Sequence, residues 1–71
     1  MNVTPAQAEK LLTSSLSFKQ LGFSMMLTRQ KNLYAKDPSQ ETLLHCTAEI
    51  NAFLSKFKAV MSADYSIISN L

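Results

Sequence analysis

Residues 11–34 carry more apolar surface than one partner helix can cover, and this constrains the chain more than any other feature. Wound at about 100° per residue, Leu11, Leu12, Leu16, Phe18, Leu21, Phe23, Met25, Met26, Leu27 and Leu33 spread over an arc of about 240°. The remaining strip is narrow and polar, carrying Lys10, Thr13, Ser17, Gln20, Ser24, Thr28 and Lys31. A helix with so wide a face is expected to be walled in on two sides.

Helix starts are written twice. Thr4, Pro5, Ala6 and Gln7 combine an N-cap, a proline whose missing N–H costs nothing in the first turn, and a glutamine that can bond back to the cap. Asp37, Pro38, Ser39 and Gln40 repeat the device. Pro38 also ends whatever precedes it, because its ring disfavours helical geometry at the residue before and it donates no hydrogen bond. Arg29, Lys31 and Lys36 lie toward the negative end of the first helix, and Asp37 and Glu41 lie at the positive end of the second. The expectation is helix 1 over about 4–35, a turn at 36–38 and helix 2 over about 38–70.

The second helix has a single seam. Leu43, Cys46, Ile50, Phe53, Phe57, Val60, Asp64, Ile67 and Leu71 step by threes and fours, with Leu54, Met61 and Ile68 on one flank. A short turn folds the two helices antiparallel. One flank of helix 1 is then used up, and Leu11, Phe18, Leu21 and Met25 are left without a partner. The fold class expected is therefore all-α: an antiparallel two-helix hairpin, one domain over residues 1–71, assembling as a homodimeric four-helix bundle. Ala8, Ser15 and Gly22 recur at intervals of seven between the two flanks, where small residues allow close backbone approach. The expected interface is Leu11, Phe18, Leu21, Gly22 and Met25.

Size points the same way. A chain of 71 residues has a marginal core unless disulfide, metal or association helps. With one cysteine and one histidine, an internal disulfide and a zinc-finger spacing are both excluded. Composition is globular, 46% apolar against 17% charged, so the chain is not of the disordered class. The net charge of +2 is spread along the chain and forms no basic stripe, so nucleic acid is not an expected partner. No leader pattern opens the sequence and no apolar run reaches the roughly 20 residues of a membrane span, which gives a cytoplasmic expectation.

Chemistry-bearing constellations are few. Glu41, His45 and Glu49 stand one turn apart along one helix line, the single arrangement suited to a metal. The Glu-x-x-His motif of helical di-iron sites is absent, so a solvated face is the expected role, and a metal-binding bundle remains an alternative. Cys46 falls in the seam, about 100° around the helix from His45, and is expected to pack as a small apolar residue. No glycine-rich phosphate loop, cofactor motif or activated nucleophile is present, and the chain is expected not to be an enzyme. Asp64 is the anomaly: it is a charge at the centre of an apolar seam, which must be paired or hydrated. The hairpin register offers Lys10 as its partner; alternatively, the helix breaks at residues 62–64 and Asp64 caps a short final segment.

Ala35, Lys36, Asp37, Pro38 and Ser39, followed by Leu43 and Leu44, resemble the turn of type III secretion needle subunits, and Asp64, Ile67, Ile68, Asn70 and Leu71 are similar to the needle carboxyl terminus. The resemblance implies a small helical hairpin whose carboxyl end packs into a filament. It covers under a quarter of the chain. The segment after the turn is shorter by about a heptad, the usual amino-terminal tryptophan region is missing, and a firm helix cap stands where the family has a loose polar segment. The sequence thus supports a non-enzymatic helical module that self-associates through helix 1 or takes a helical protein partner, with a filament subunit as the alternative.

Overall fold

The computed structural model describes residues 2–56 and 62–71. Its elements are α1 (Pro5–Thr13), α2 (Leu21–Lys36), α3 (Gln40–Lys56) and α4 (Ser62–Ser69), with no strand among the described residues. The expected first helix is therefore two helices. Residues 14–20 separate them, and the serines at 14, 15 and 17 explain why the ladder can stop there. Serine lowers helix propensity at these three positions, although Leu16, Lys19 and Gln20 in the same run are good helix formers.

The chain reverses direction in this break. Tyr34 on α2 donates to Glu9 on α1 at 2.9 Å, and Lys31 donates to the Ser14 carbonyl at 3.0 Å, so residues ascend on one helix as they descend on the other. α3 is antiparallel to α2 in turn: Gly22 lies over the Phe53 ring, the Cys46 thiol donates to the Gln30 carbonyl, and the Thr42 hydroxyl donates to Asp37. The result is an up-down-up arrangement in which α1, α2 and α3 all touch one another. Of the flank that the sequence left for a second molecule, Leu11 is buried within the chain and Phe18 packs against the core, while Leu21 and Met25 stay exposed.

The first cap forms as expected, with Thr4 Oγ1 accepting from the Gln7 N–H at 3.2 Å and Gln7 Oε1 accepting from the Thr4 N–H at 2.9 Å. The second shifts by two residues. Ser39 is the cap of α3, its hydroxyl oxygen accepting from the Thr42 N–H at 3.2 Å, and Asp37 closes α2.

Leu11, Phe23, Cys46 and Ile50 are fully buried at the centre, and Leu12, Met26, Leu27, Leu43 and Leu54 surround them. Val3 joins the core ahead of α1, where the Asn51 side chain takes its N–H at 2.7 Å and gives to its carbonyl at 3.0 Å. α4 adds Ile68, 1% exposed, and Leu71 packs alongside. The expected passage of helix 2 through Phe57, Val60 and Met61 lies outside the described residues; α4 starts at Ser62 as an element of its own.

Candidate functional site

The five residues expected to form an interface have different surroundings. Leu11 is fully buried in the protomer, under α2 and α3, and cannot meet a second molecule. Phe18 is half-buried and sets its ring edge-on to Phe23, with centroids 4.9 Å apart and planes at 87°. It belongs to the core because residues 14–20 fold it inward. Leu21 and Met25 point outward, 72% and 57% exposed.

Gly22 is solvent-exposed on the α2 surface. A Cβ built there would stand 3.5 Å from Phe53 Cζ, an ordinary contact, and φ is not positive. Close helix approach therefore does not require this glycine. Gly22→Ala is expected to raise stability by about 0.5 kcal/mol, through the smaller entropy lost by alanine on folding, in a urea unfolding series. A loss above about 1 kcal/mol would show that the backbone at this turn needs glycine.

The expected Lys10–Asp64 pair does not form. Lys10 Nζ donates to the Leu71 carbonyl at 2.8 Å and so holds the end of the chain on α1. Asp64 is fully buried, and its carboxylate oxygens accept from the backbone N–H groups of Lys19, at 2.9 Å, and Gln20, at 3.0 Å. Gln20 is the N-cap of α2 and gives no side-chain cap of its own. Asp64 thus caps α2 from across the fold, at the helix end where the backbone dipole favours negative charge. Whether helix 2 breaks ahead of Asp64 lies outside the described residues, and 62–64 are themselves helical. Asp64 lies in the first turn of a short final helix, but the backbone it caps belongs to α2.

His45, Glu41 and Glu49 are exposed on α3. Among the described residues no three histidine, cysteine, aspartate or glutamate side chains stand together as a metal site. The Cys46 thiol is buried and donates to the Gln30 carbonyl at 3.7 Å, and burial pushes it above the usual thiol range, Glu49 adding to the effect. It stays protonated at neutral pH, the opposite of what a nucleophile needs. The Tyr34 phenol is also raised, because its hydrogen bond to Glu9 would be lost on ionisation.

Two surface features bear on function. One is the outward face of α2. The other, which the sequence reading missed, is a polar cavity between residues 16–18 and α2, lined by Ser17, Ser24, Thr28 and Lys31 among others. Lys31 had been placed in a solvated polar strip, and nothing in helical periodicity could show that a loop would fold over it.

The fold and its surfaces define a small all-helical domain, and no described helix is long and apolar enough to cross a membrane. No family model matches the chain, and neither the curated proteins nor the solved structures contain a match to it.

Proposed function

We propose that the protein is a non-enzymatic helical interaction module that self-associates through the outward face of α2. The observation that carries this reading is the exposure of Leu21 and Met25, 72% and 57%, one turn apart on the side of α2 opposite Phe23 and Gln30. The contact is narrower than the wide face first expected, since Leu11 and Phe18 belong to the protomer core.

Charge sets the orientation. α2 contains Arg29, Lys31 and Lys36 and no acidic residue. A parallel pair would place the two Arg29 side chains together. An antiparallel pair centred near residue 23 sets Leu21 against the partner's Met25 and keeps the two Arg29 rows about 18 Å apart, at 1.5 Å per residue, beyond the screening length of about 8 Å at physiological salt. Four apolar side chains at about 2 kcal/mol each, less the cost of association, leave about 4 kcal/mol, a dissociation constant on the order of 1 mM.

Sedimentation equilibrium from the micromolar to the millimolar range tests this. Wild type is expected to pass from monomer to dimer as concentration rises, Met25→Lys to remain monomeric, and Ala48→Lys on the exposed side of α3 to behave as wild type. A monomer at all concentrations, or equal loss from both variants, would refute the α2 contact. Open-ended growth would favour the needle-like filament alternative, because a two-fold contact closes on itself.

A further inference from the structure

We infer that the cavity between residues 16–18 and α2 is a binding site for a small oxyanion of the hydrogen phosphate class. It is a half-open pocket of about 250 Å³, walled by Leu16, Ser17 and Phe18 on the loop side and by Ser24, Leu27, Thr28 and Lys31 on the helix side. That volume equals about eight waters at roughly 30 Å³ each, room for one small polyatomic ion with some of its hydration.

The charge of the cavity is one-sided. Lys31 is half-buried, and among the described residues no aspartate or glutamate lines the cavity. The ammonium is anchored, giving one N–H to the Ser14 carbonyl at 3.0 Å, where the carbonyl end of α1 supplies partial negative charge but no counter-ion. Its two other N–H donors stay free for a ligand. The Ser14 hydroxyl oxygen, next to that anchor, is buried and has no partner.

The hydroxyls decide the class of anion. Ser24 donates to the Phe18 carbonyl and Thr28 to the Ser24 carbonyl, both at 2.9 Å, so each presents only lone pairs to the cavity. The Ser17 hydroxyl and the Ser17 and Phe18 N–H groups have no partner among the described residues and can donate. A site with a cation and hydroxyl acceptors on the helix wall and N–H donors on the loop wall suits an anion that still carries a hydroxyl. Hydrogen phosphate meets both requirements; a phosphomonoester does so only as its monoanion, below its second pKa of about 6, and chloride and acetate meet only the first. This inference does not rest on the self-association proposed above, whose Leu21 and Met25 lie about a quarter turn around α2 from Ser24 and Lys31.

The test is an amide-resolved NMR titration with sodium phosphate, at fixed pH and with ionic strength balanced by sodium chloride. Phosphate is expected to give saturable shifts at Ser17, Phe18, Thr28 and Lys31. Lys31→Met should weaken binding at least tenfold, and Lys31→Arg and Lys19→Met should keep it. Ser17→Ala, a change at an exposed position, should weaken it several-fold and serves as the second variant should Lys31→Met fail to fold. A parallel titration with glycerol phosphate separates a free phosphate site from one that accepts an esterified group. No saturable shift, equal binding by Lys31→Met and Ser17→Ala, or the same shifts with chloride or acetate would overturn the assignment.

Discussion

Asp64→Ala is expected to cost about 3 kcal/mol of folding stability. The carboxylate is fully buried, and both of its oxygens are engaged, one by the Lys19 N–H and one by the Gln20 N–H. Alanine leaves two part-buried donors without acceptors, at up to about 1–3 kcal/mol each, and removes the negative charge that Asp64 seats at the start of α2. A domain of 71 residues is stable by about 4–10 kcal/mol, so the loss is a large fraction of the whole. Asp64→Asn keeps one acceptor but turns an amide N–H toward the other donor, and should fall between the two. Urea unfolding followed by circular dichroism gives the free energies. Hydrogen exchange at the Lys19 and Gln20 amides, expected to lose protection first, tells loss of this cap from a general softening. A change below about 0.5 kcal/mol in Asp64→Ala would mean that water replaces the carboxylate at no cost, and that α4 is not what holds the start of α2.

Phe23→Ala is expected to cost more, about 3–5 kcal/mol, the range for removing a fully buried aromatic ring. Phe23 is 0% exposed and has two ring neighbours, Phe18 edge-on at 4.9 Å and Phe53 tilted at 47° with centroids 5.6 Å apart. These contacts tie the break after α1 and the face of α3 to the first turn of α2. Deleting the ring opens a cavity at their junction and removes two aromatic pairs. Phe18→Ala, from a half-buried site, should cost about half as much. For a wild-type stability near 4 kcal/mol, the low end for this size, a loss of about 5 kcal/mol leaves the chain largely unfolded at room temperature, visible as loss of far-ultraviolet ellipticity without denaturant. A variant that keeps a cooperative transition within 1 kcal/mol of wild type would show that this core collapses around the missing ring.

Several parts of the fold are legible in the residues. Thr4, Pro5 and Gln7 build their capping box from local chemistry alone, and it forms as written. Pro38 ends one helix and Leu43, Cys46, Ile50 and Leu54 form the buried face of the next, because a proline ring and a three-four spacing act within a few residues. The break at residues 14–20 is not legible in this way. Leu16 and Phe18 continue the helical period through it, so the apolar arc reads as unbroken. Continuing or stopping a helix across serines differs by only tenths of a kcal/mol per residue. Distant partners settle so small a difference: Lys31 holds the Ser14 carbonyl, Asp64 holds the Lys19 and Gln20 amides, and Phe18 turns onto Phe23. The phosphate-class cavity was hidden for the same reason, since it exists only where that loop passes over Lys31.

The amino-acid sequence by itself determined that the chain is helical, where α1 starts, and that residues 11–34 carry more apolar surface than one partner helix can cover. These follow from spacing and capping, which are short-range. Tertiary structure alone decided what supplies the second cover. Residues 14–20 turn α1 back onto α2, so Leu11 and Leu12 are hidden by the chain that carries them, while Leu16, Leu21, Met25 and Leu33 are left on the outside. Covering an apolar face from within the same chain costs a short loop closure, which is smaller than the freedom two separate molecules lose on joining.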